Sequence, residues 1–209
     1  MRIAVIQASS QCARNAMLYD LTCRAACGCE TVNFGCFPEE AQRYSYVEIA
    51  VEISLLLNSG AVDFAVTGCS SGQGMMLACN SFPGVLCGYA ASPQEAYLFG
   101  RINDGNAVSL PLGLNNGWAG EIALRHTLDA LFEAPFGAGY PPEDVERKRK
   151  DAALLKRIRR LSQVDAVGLL EQLDREIVEK ALRRRNVTDF ILQHGRDAEL
   201  MAWMRKNGC

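Results

Sequence analysis

The chain reads as an α/β protein built on a parallel sheet of five strands with helices on both faces, followed by a helical extension. Short, continuous apolar runs alternate with segments of helical spacing, the pattern of strands covered on both sides and joined by right-handed crossovers. Gly and Pro punctuate the boundaries between these segments. After Gly137-Ala138-Gly139-Tyr140-Pro141-Pro142 the composition turns to charged, helix-forming residues.

The elements follow in order. Arg2-Ile3-Ala4-Val5-Ile6-Gln7 is a β-branched apolar run and the first strand. Residues 12–28 have helical spacing, and residues 31–34 give a short second strand. From Tyr46 to Asn58, Val47, Ile49, Ala50, Ile53, Leu56 and Leu57 recur at helical intervals, and Ser59-Gly60 supplies the stop. Residues 62–68 form the third strand. The helix after it starts near Gly72 and stops before Pro83-Gly84. Residues 85–90 form the fourth strand. Ser92-Pro93-Gln94-Glu95 opens a helix to about Ile102, with Ser as N-cap, Pro in the first turn and Glu placed for a capping box. Residues 107–112 are the fifth strand and residues 117–132 the next helix. Residues 1–136 are thus expected to be one domain. Residues 137–209 are expected to be a helical extension, with helices from 143, over 166–184 and over 188–206, packing on the domain or on a partner subunit.

Composition narrows the function. The 209 residues are 49% hydrophobic and carry a net charge of -2, which gives no reason to expect nucleic acid. No apolar run reaches membrane-spanning length, and Met1 leads straight into a strand without a secretory leader, so a cytoplasmic protein is expected. Nine cysteines, an odd number, argue against a disulfide framework in that compartment. Cys23, Cys27, Cys29 and Cys36 lack paired metal-ligand spacing, and only two histidines exist, so no metal site is expected.

The most informative stretch is Cys69-Ser70-Ser71-Gly72-Gln73-Gly74. A strand, a turn of small residues and a helix gather backbone N–H groups at the helix N-terminus, where they bind an anion or a developing oxyanion. Cys69 ends the strand beside them, a position in which a thiol serves as base or nucleophile. The turn Ala8-Ser9-Ser10 and the segment Asn103-Asp104-Gly105-Asn106 are expected at the same pocket, at strand ends. Asn115, Asn116 and Trp118 line it as well, or serve as cap and packing anchor. No GxGxxG follows the first strand, so no dinucleotide is expected. In the extension, Arg147-Lys148-Arg149-Lys150 and Lys156-Arg157-Arg159-Arg160 read mainly as a solvated helix face, with one or two free to reach a pocket. His126 fits a surface position, and His194 fits the last carbonyls of a helix.

The order of these parts resembles the ribose/galactose isomerase family, which includes type B ribose-5-phosphate isomerases and the two subunits of galactose-6-phosphate isomerase. That family reads Cys-Gly-(Thr/Ser)-Gly-x-Gly, an apolar segment and Ala-Asn-Lys; here stand Cys69 to Gly74 and Ala78-Cys79-Asn80. Its later His-Asn-Asp-x-Asn corresponds to Ile102-Asn103-Asp104-Gly105-Asn106. The resemblance spans Ile3 to about Phe132. It implies a Rossmann-like three-layer sandwich, a homodimer or homotetramer with the active site between subunits, and aldose–ketose isomerisation of a small sugar or sugar phosphate through a cis-enediolate, without cofactor or metal. It makes Cys69 the base, Ser71 the hydroxyl residue, Gly72 and Gly74 the turn, and Asn103 the oxyanion donor. Ser9, Ser10, Ser70 and Asn106 are expected to bind the sugar.

The departures are as telling. The family's Asp-His after the first strand, used in ring opening, is Ser9-Ser10 within Ala8-Ser9-Ser10-Gln11, and the His before Asn is Ile102. The two phosphate-clamping arginines after the sheet domain are Tyr140 and Asp144. Either phosphate binding has moved to Arg147 or its neighbours, to Arg101 or to Arg125, or the substrate is another sugar. The joint loss of both functions favours a sugar that is already linear. A non-catalytic subunit or carbohydrate-sensing module on the same fold is the alternative.

Overall fold

The computed structural model describes residues 1–114 and 117–207. Its sheet contains β1 (Arg2–Ile6), β2 (Glu30–Gly35), β3 (Phe64–Cys69), β4 (Cys87–Tyr89) and β5 (Ala107–Pro111). All neighbours pair in parallel, in the order β2-β1-β3-β5-β4. The α/β class and the five-stranded parallel sheet are as the sequence predicts.

Both faces of the sheet are buried, which is why its strands read as unbroken apolar runs. Side chains alternate between two clusters. Ile3 and Val5 of β1, with Phe64 and Val66 of β3, meet α1 (Asn15–Ala25), α4 (Pro93–Leu98) and α5 (Gly120–Phe132). Ala4, Ile6, Ala65 and Cys69 face α2 (Tyr46–Asn58) and α3 (Gln73–Ser81). α2 has the predicted bounds and is closed by a capping box, in which Ser45 Oγ accepts from Glu48 N–H and Glu48 accepts from Ser45 N–H. Three other helices are shorter than expected, α5 among them, since it begins at Gly120 and not at Gly117. The segment before α1 begins as a 3-10 turn, Ser9–Arg14, and α4 gives way to a π turn, Phe99–Asn103, before a left-handed Asp104.

The extension holds α6 (Val145–Ser162), α7 (Ala166–Leu170), α8 (Arg175–Leu182), α9 (Arg185–His194) and α10 (Ala198–Asn207). The two long helices expected over 166–184 and 188–206 are each broken in two. Within 188–206, Asp197 Oδ1 caps Leu200 N–H at 2.8 Å, so a short acidic side chain starts a new helix where periodicity alone predicts continuation. Within 166–184, α7 stops at Leu170 and α8 restarts at Arg175, while Asp165 Oδ1, accepting from Gly168 N–H at 2.7 Å, caps the predicted start. Leu170, Val178, Leu182, Val187, Ile191 and Leu200 share one hydrophobic cluster with Ile49, Ile53 and Leu56 of α2.

α6 contains no buried residue and runs past the sheet edge where β4 and β5 begin. Lys156 pairs with Asp104, and Arg159 donates to Val85 O at 2.6 Å. Among the described residues, no helix is long and apolar enough to cross a membrane.

Candidate active site

Strand order places the site. The chain leaves β1 toward β2 through α1 on one face, and leaves β3 toward β4 through α3 on the other. A crevice opens at such a switch point, outside the carboxyl ends of the two strands. Two turns meet there: Ala8 to Gln11 after β1, and Ser70-Ser71-Gly72 after β3. Ala8 N–H donates to Gly68 O at 3.1 Å, and Gln11 Nε2 donates to Ser70 Oγ at 2.9 Å.

Gly72 precedes α3 with φ 77°, a left-handed conformation that favours glycine. A Cβ there would also stand 2.8 Å from the Tyr89 ring. Ser109 Oγ donates to Gly72 O at 2.7 Å, while Leu112 N–H and Gly113 N–H donate to Cys69 O and Ser70 O at 3.0 and 2.9 Å. The carbonyls of the turn are thus occupied by β5 and its exit. The amides are not: among the described residues no acceptor meets the N–H groups of Ser71, Gly72 or Gly74. Successive free amides around a left-handed glycine form a nest for an anion.

Cys69 ends β3 immediately before this nest. It is 8% exposed, within the α2/α3 cluster yet not sealed. Its neighbours carry distinct tasks. Ser71 Oγ accepts from Gln73 N–H at 3.4 Å, Ser9 Oγ accepts from Tyr44 N–H at 2.8 Å, and Ser10 is exposed. The Tyr46 ring lies 3.5 Å from where a Gly74 Cβ would be. Gln11, Tyr44, Tyr46 and Ser109 were not singled out from sequence. Gln11 closes the quoted turn and was legible by position, whereas Ser109 reads only as a strand residue.

Three expected site residues stand elsewhere in the chain. Asn103 and Asn106 precede β5, and β3 and β5 pair in parallel from Ala65↔Ala107 to Cys69↔Pro111. They therefore lie at the amino edge of the sheet, the length of a five-residue strand, about 13 Å, from the edge that bears Cys69. Asn106 is occupied there, accepting from Leu86 N–H and donating to Gly84 O, each at 2.7 Å. Arg147 on α6 is paired with Asp144 at 2.6 Å and Asp151 at 3.5 Å, and this hydrogen-bonded contact lowers the Asp144 carboxyl below its usual range. Of the other cations considered, Arg101 is buried and donates to Leu131 O at 2.8 Å, and Arg125 lies beside His126 on α5. Trp118 is fully exposed and is no packing anchor. Asn115, Asn116 and Cys209 lie outside the described residues. Neither histidine is in the crevice: His126 is exposed on α5, and His194 packs against Phe190 at 4.4 Å between ring centres. Among the described residues no three His, Cys, Asp or Glu side chains gather as a metal site.

Behind the crevice the extension reaches in. Arg184 Nη1 meets Glu52 Oε2 at 2.6 Å, and its Nη2 donates to Phe34 O at 2.6 Å and meets Glu40 at 3.1 Å. The same guanidinium lies 4.6 Å from the Tyr44 ring centre. Gly35, at φ 88°, leaves room for it: a Cβ would stand 2.9 Å from Nη2. Glu52 is fully buried with Oε1 unpartnered, and burial pushes its carboxyl up to about 7 against the pull of Arg184.

Comparison with known proteins agrees with this architecture. A family model described as Ribose/Galactose Isomerase matches residues 3–139. Ribose-5-phosphate isomerase B of Escherichia coli (strain K12) is 27% identical over 119 residues, 57% of this chain and 76% of that protein. Two solved structures match at TM-score 0.94 and 35% identity, each over 99% of both chains. One is a 4-deoxy-L-threo-5-hexosulose-uronate ketol-isomerase complexed with a tartrate; the other is ribose-5-phosphate isomerase LacAB_rpiB from Vibrio parahaemolyticus. Their coverage takes in the helical extension, which the family model does not reach. On a match that runs through every strand of the sheet and both turns of the crevice, the chain belongs to the ribose/galactose isomerase family of sugar isomerases.

Proposed function

We propose that this isomerase interconverts an aldose and a ketose that are already linear, with a sugar acid of the hexosulose-uronate class as substrate. The observation that carries the proposal is a crevice with a thiol, hydroxyls and free amides but, among the described residues, no imidazole. A cyclic sugar needs a proton donor and acceptor for its ring oxygen, and a linear one does not. The lost phosphate clamp, with Arg147 held by Asp144 and Asp151, points the same way. One relative matched over 99% of both chains is named for a hexosulose uronate and was solved with tartrate, a hydroxy-dicarboxylate.

In this reading the Cys69 thiolate takes the proton from the carbon next to the carbonyl. The electron pair moves into a carbon–carbon double bond, and the negative charge settles on the carbonyl oxygen, facing the amides of Ser71, Gly72 and Gly74. The hydroxyl proton on the deprotonated carbon's oxygen passes to the former carbonyl oxygen as the thiol returns its proton to the former carbonyl carbon, so the carbonyl has moved by one position and nothing is consumed. Donors of this type are commonly worth about 3–4 kcal/mol each to the barrier.

We infer a homodimer or homotetramer, because Asn103 stands on the edge opposite Cys69 and reaches such a crevice only from a second copy. The test is turnover of 4-deoxy-L-threo-5-hexosulose uronate against ribose 5-phosphate, followed directly, with Cys69→Ser alongside. Preference for the uronate and a loss of about 10²–10⁴-fold in the variant are expected. Efficient turnover of ribose 5-phosphate, or an unimpaired variant, would overturn the reading.

A further inference from the structure

A sugar acid brings a carboxylate that none of the residues placed in the crevice above neutralises. We propose that Arg43 takes this carboxylate and so sets the specificity of the site, an inference that rests on the function proposed above. The segment 36–45 leaves β2 at the same sheet edge as the two crevice turns, and its course past them is fixed. Tyr44 exchanges two hydrogen bonds with Ser9: its N–H donates to Ser9 Oγ at 2.8 Å, and Ser9 N–H donates to its carbonyl at 3.1 Å. On its other side the Tyr44 ring lies under the guanidinium of Arg184 and the ammonium of Lys180, at 4.6 and 5.4 Å.

Arg43 therefore extends from an anchored backbone. Its side chain is exposed and crosses to the turn of Ser9, Ser10 and Gln11, where Nη1 lies 3.5 Å from Cys12 Sγ. A thiol is a weak acceptor for a group with five donors. Among the described residues no carboxylate pairs with Arg43, whereas nearby cations are committed: Lys180 to Glu48 at 2.5 Å, and Arg184 to Glu52 and Glu40. The crevice thus has two anion-seeking ends. The free amides of the β3 turn suit the oxygen of the reacting carbonyl, and the free fork of Arg43 suits a planar carboxylate held in two parallel hydrogen bonds.

Tartrate is the probe, since its binding needs no turnover. It is titrated by calorimetry into the wild-type chain, Arg43→Gln, Arg43→Lys and Arg24→Gln; Arg24 lies on the last turn of α1, away from the crevice. Arg43→Gln is expected to weaken tartrate about 10- to 100-fold, Arg43→Lys less, and Arg24→Gln not at all. In the uronate assay Arg43→Gln raises KM by a similar factor and leaves kcat within about threefold, an uncoupling that a damaged fold would not give. Tartrate binding unaffected by Arg43→Gln, or no tartrate binding by the wild-type chain, overturns the assignment. Arg43-dependent binding without turnover of any sugar would instead reject the isomerase reaction and leave the anion site standing.

Discussion

At the scale of single residues, the site turns on backbone geometry as much as on the thiol. Gly72 is held at φ 77° with the Tyr89 ring against it. Gly72→Ala should cost about 1–3 kcal/mol in urea denaturation and lower kcat about 100-fold, because the nest twists when the turn relaxes. This glycine was legible as part of a small-residue turn, but the ring that crowds it comes from another strand and leaves no mark on the local sequence. The same holds for Glu52, which sequence presents as one polar position in an apolar helix. Its carboxyl stands near 7 in the folded chain and near 4.5 in the unfolded one. Between these values the folded chain holds a proton that the unfolded chain has lost. The associated stability is therefore full below about 4.5 and lost as pH rises through about 7, a change on the order of 3 kcal/mol. Thermal melts from pH 4.5 to 8 should show wild type losing ground steadily to Glu52→Gln over this window; parallel curves would refute it.

At the scale of elements, strands and the helices between them were readable because both period and punctuation were local. The helix bounds of α2 were met at Tyr46 and Asn58, where a capping box and Ser59-Gly60 mark the ends. The breaks of the extension were not: the one before α10 depends on Asp197 turning back to cap a new start, and the one between Leu170 and Arg175 carries no side-chain cap. The placement of Asn103 and Asn106 failed for a different reason: a motif near a strand marks the carboxyl or the amino edge according to whether it follows or precedes that strand, and these precede β5. The contact between α8–α9 and α2 was likewise invisible, yet it has the largest consequence for an element. Arg184 binds Glu52, Glu40 and Phe34 O in one buried cluster. Arg184→Met should cost about 3–5 kcal/mol by leaving Glu52 buried without its cation. Arg184→Met/Glu52→Gln should recover about 1–3 kcal/mol of that loss, measured in the same urea titrations, since the two residues act as a pair.

At the scale of the whole molecule, the question is whether the extension is an accessory or part of the fold. The family match ends at residue 139, where the sheet domain is already complete in strands and connections. The packing gives the opposite answer. α2 is buried on the sheet side through Ile49, Ile53 and Leu56, and the same cluster continues into Val178, Leu182, Val187, Ile191 and Leu200. Removing the extension would expose that apolar layer to water, at about 25 cal/mol for each Å² uncovered, and would strip Glu52 of Arg184. A small domain has a net stability of only about 5–15 kcal/mol, less than a loss of this kind. A chain ending at residue 139 should therefore show no cooperative thermal transition by circular dichroism and should bind a dye specific for exposed apolar surface. The reverse result, a sharp transition near that of the full chain, would make the extension separable and would leave the coupling of Arg184 to Tyr44 as local packing alone.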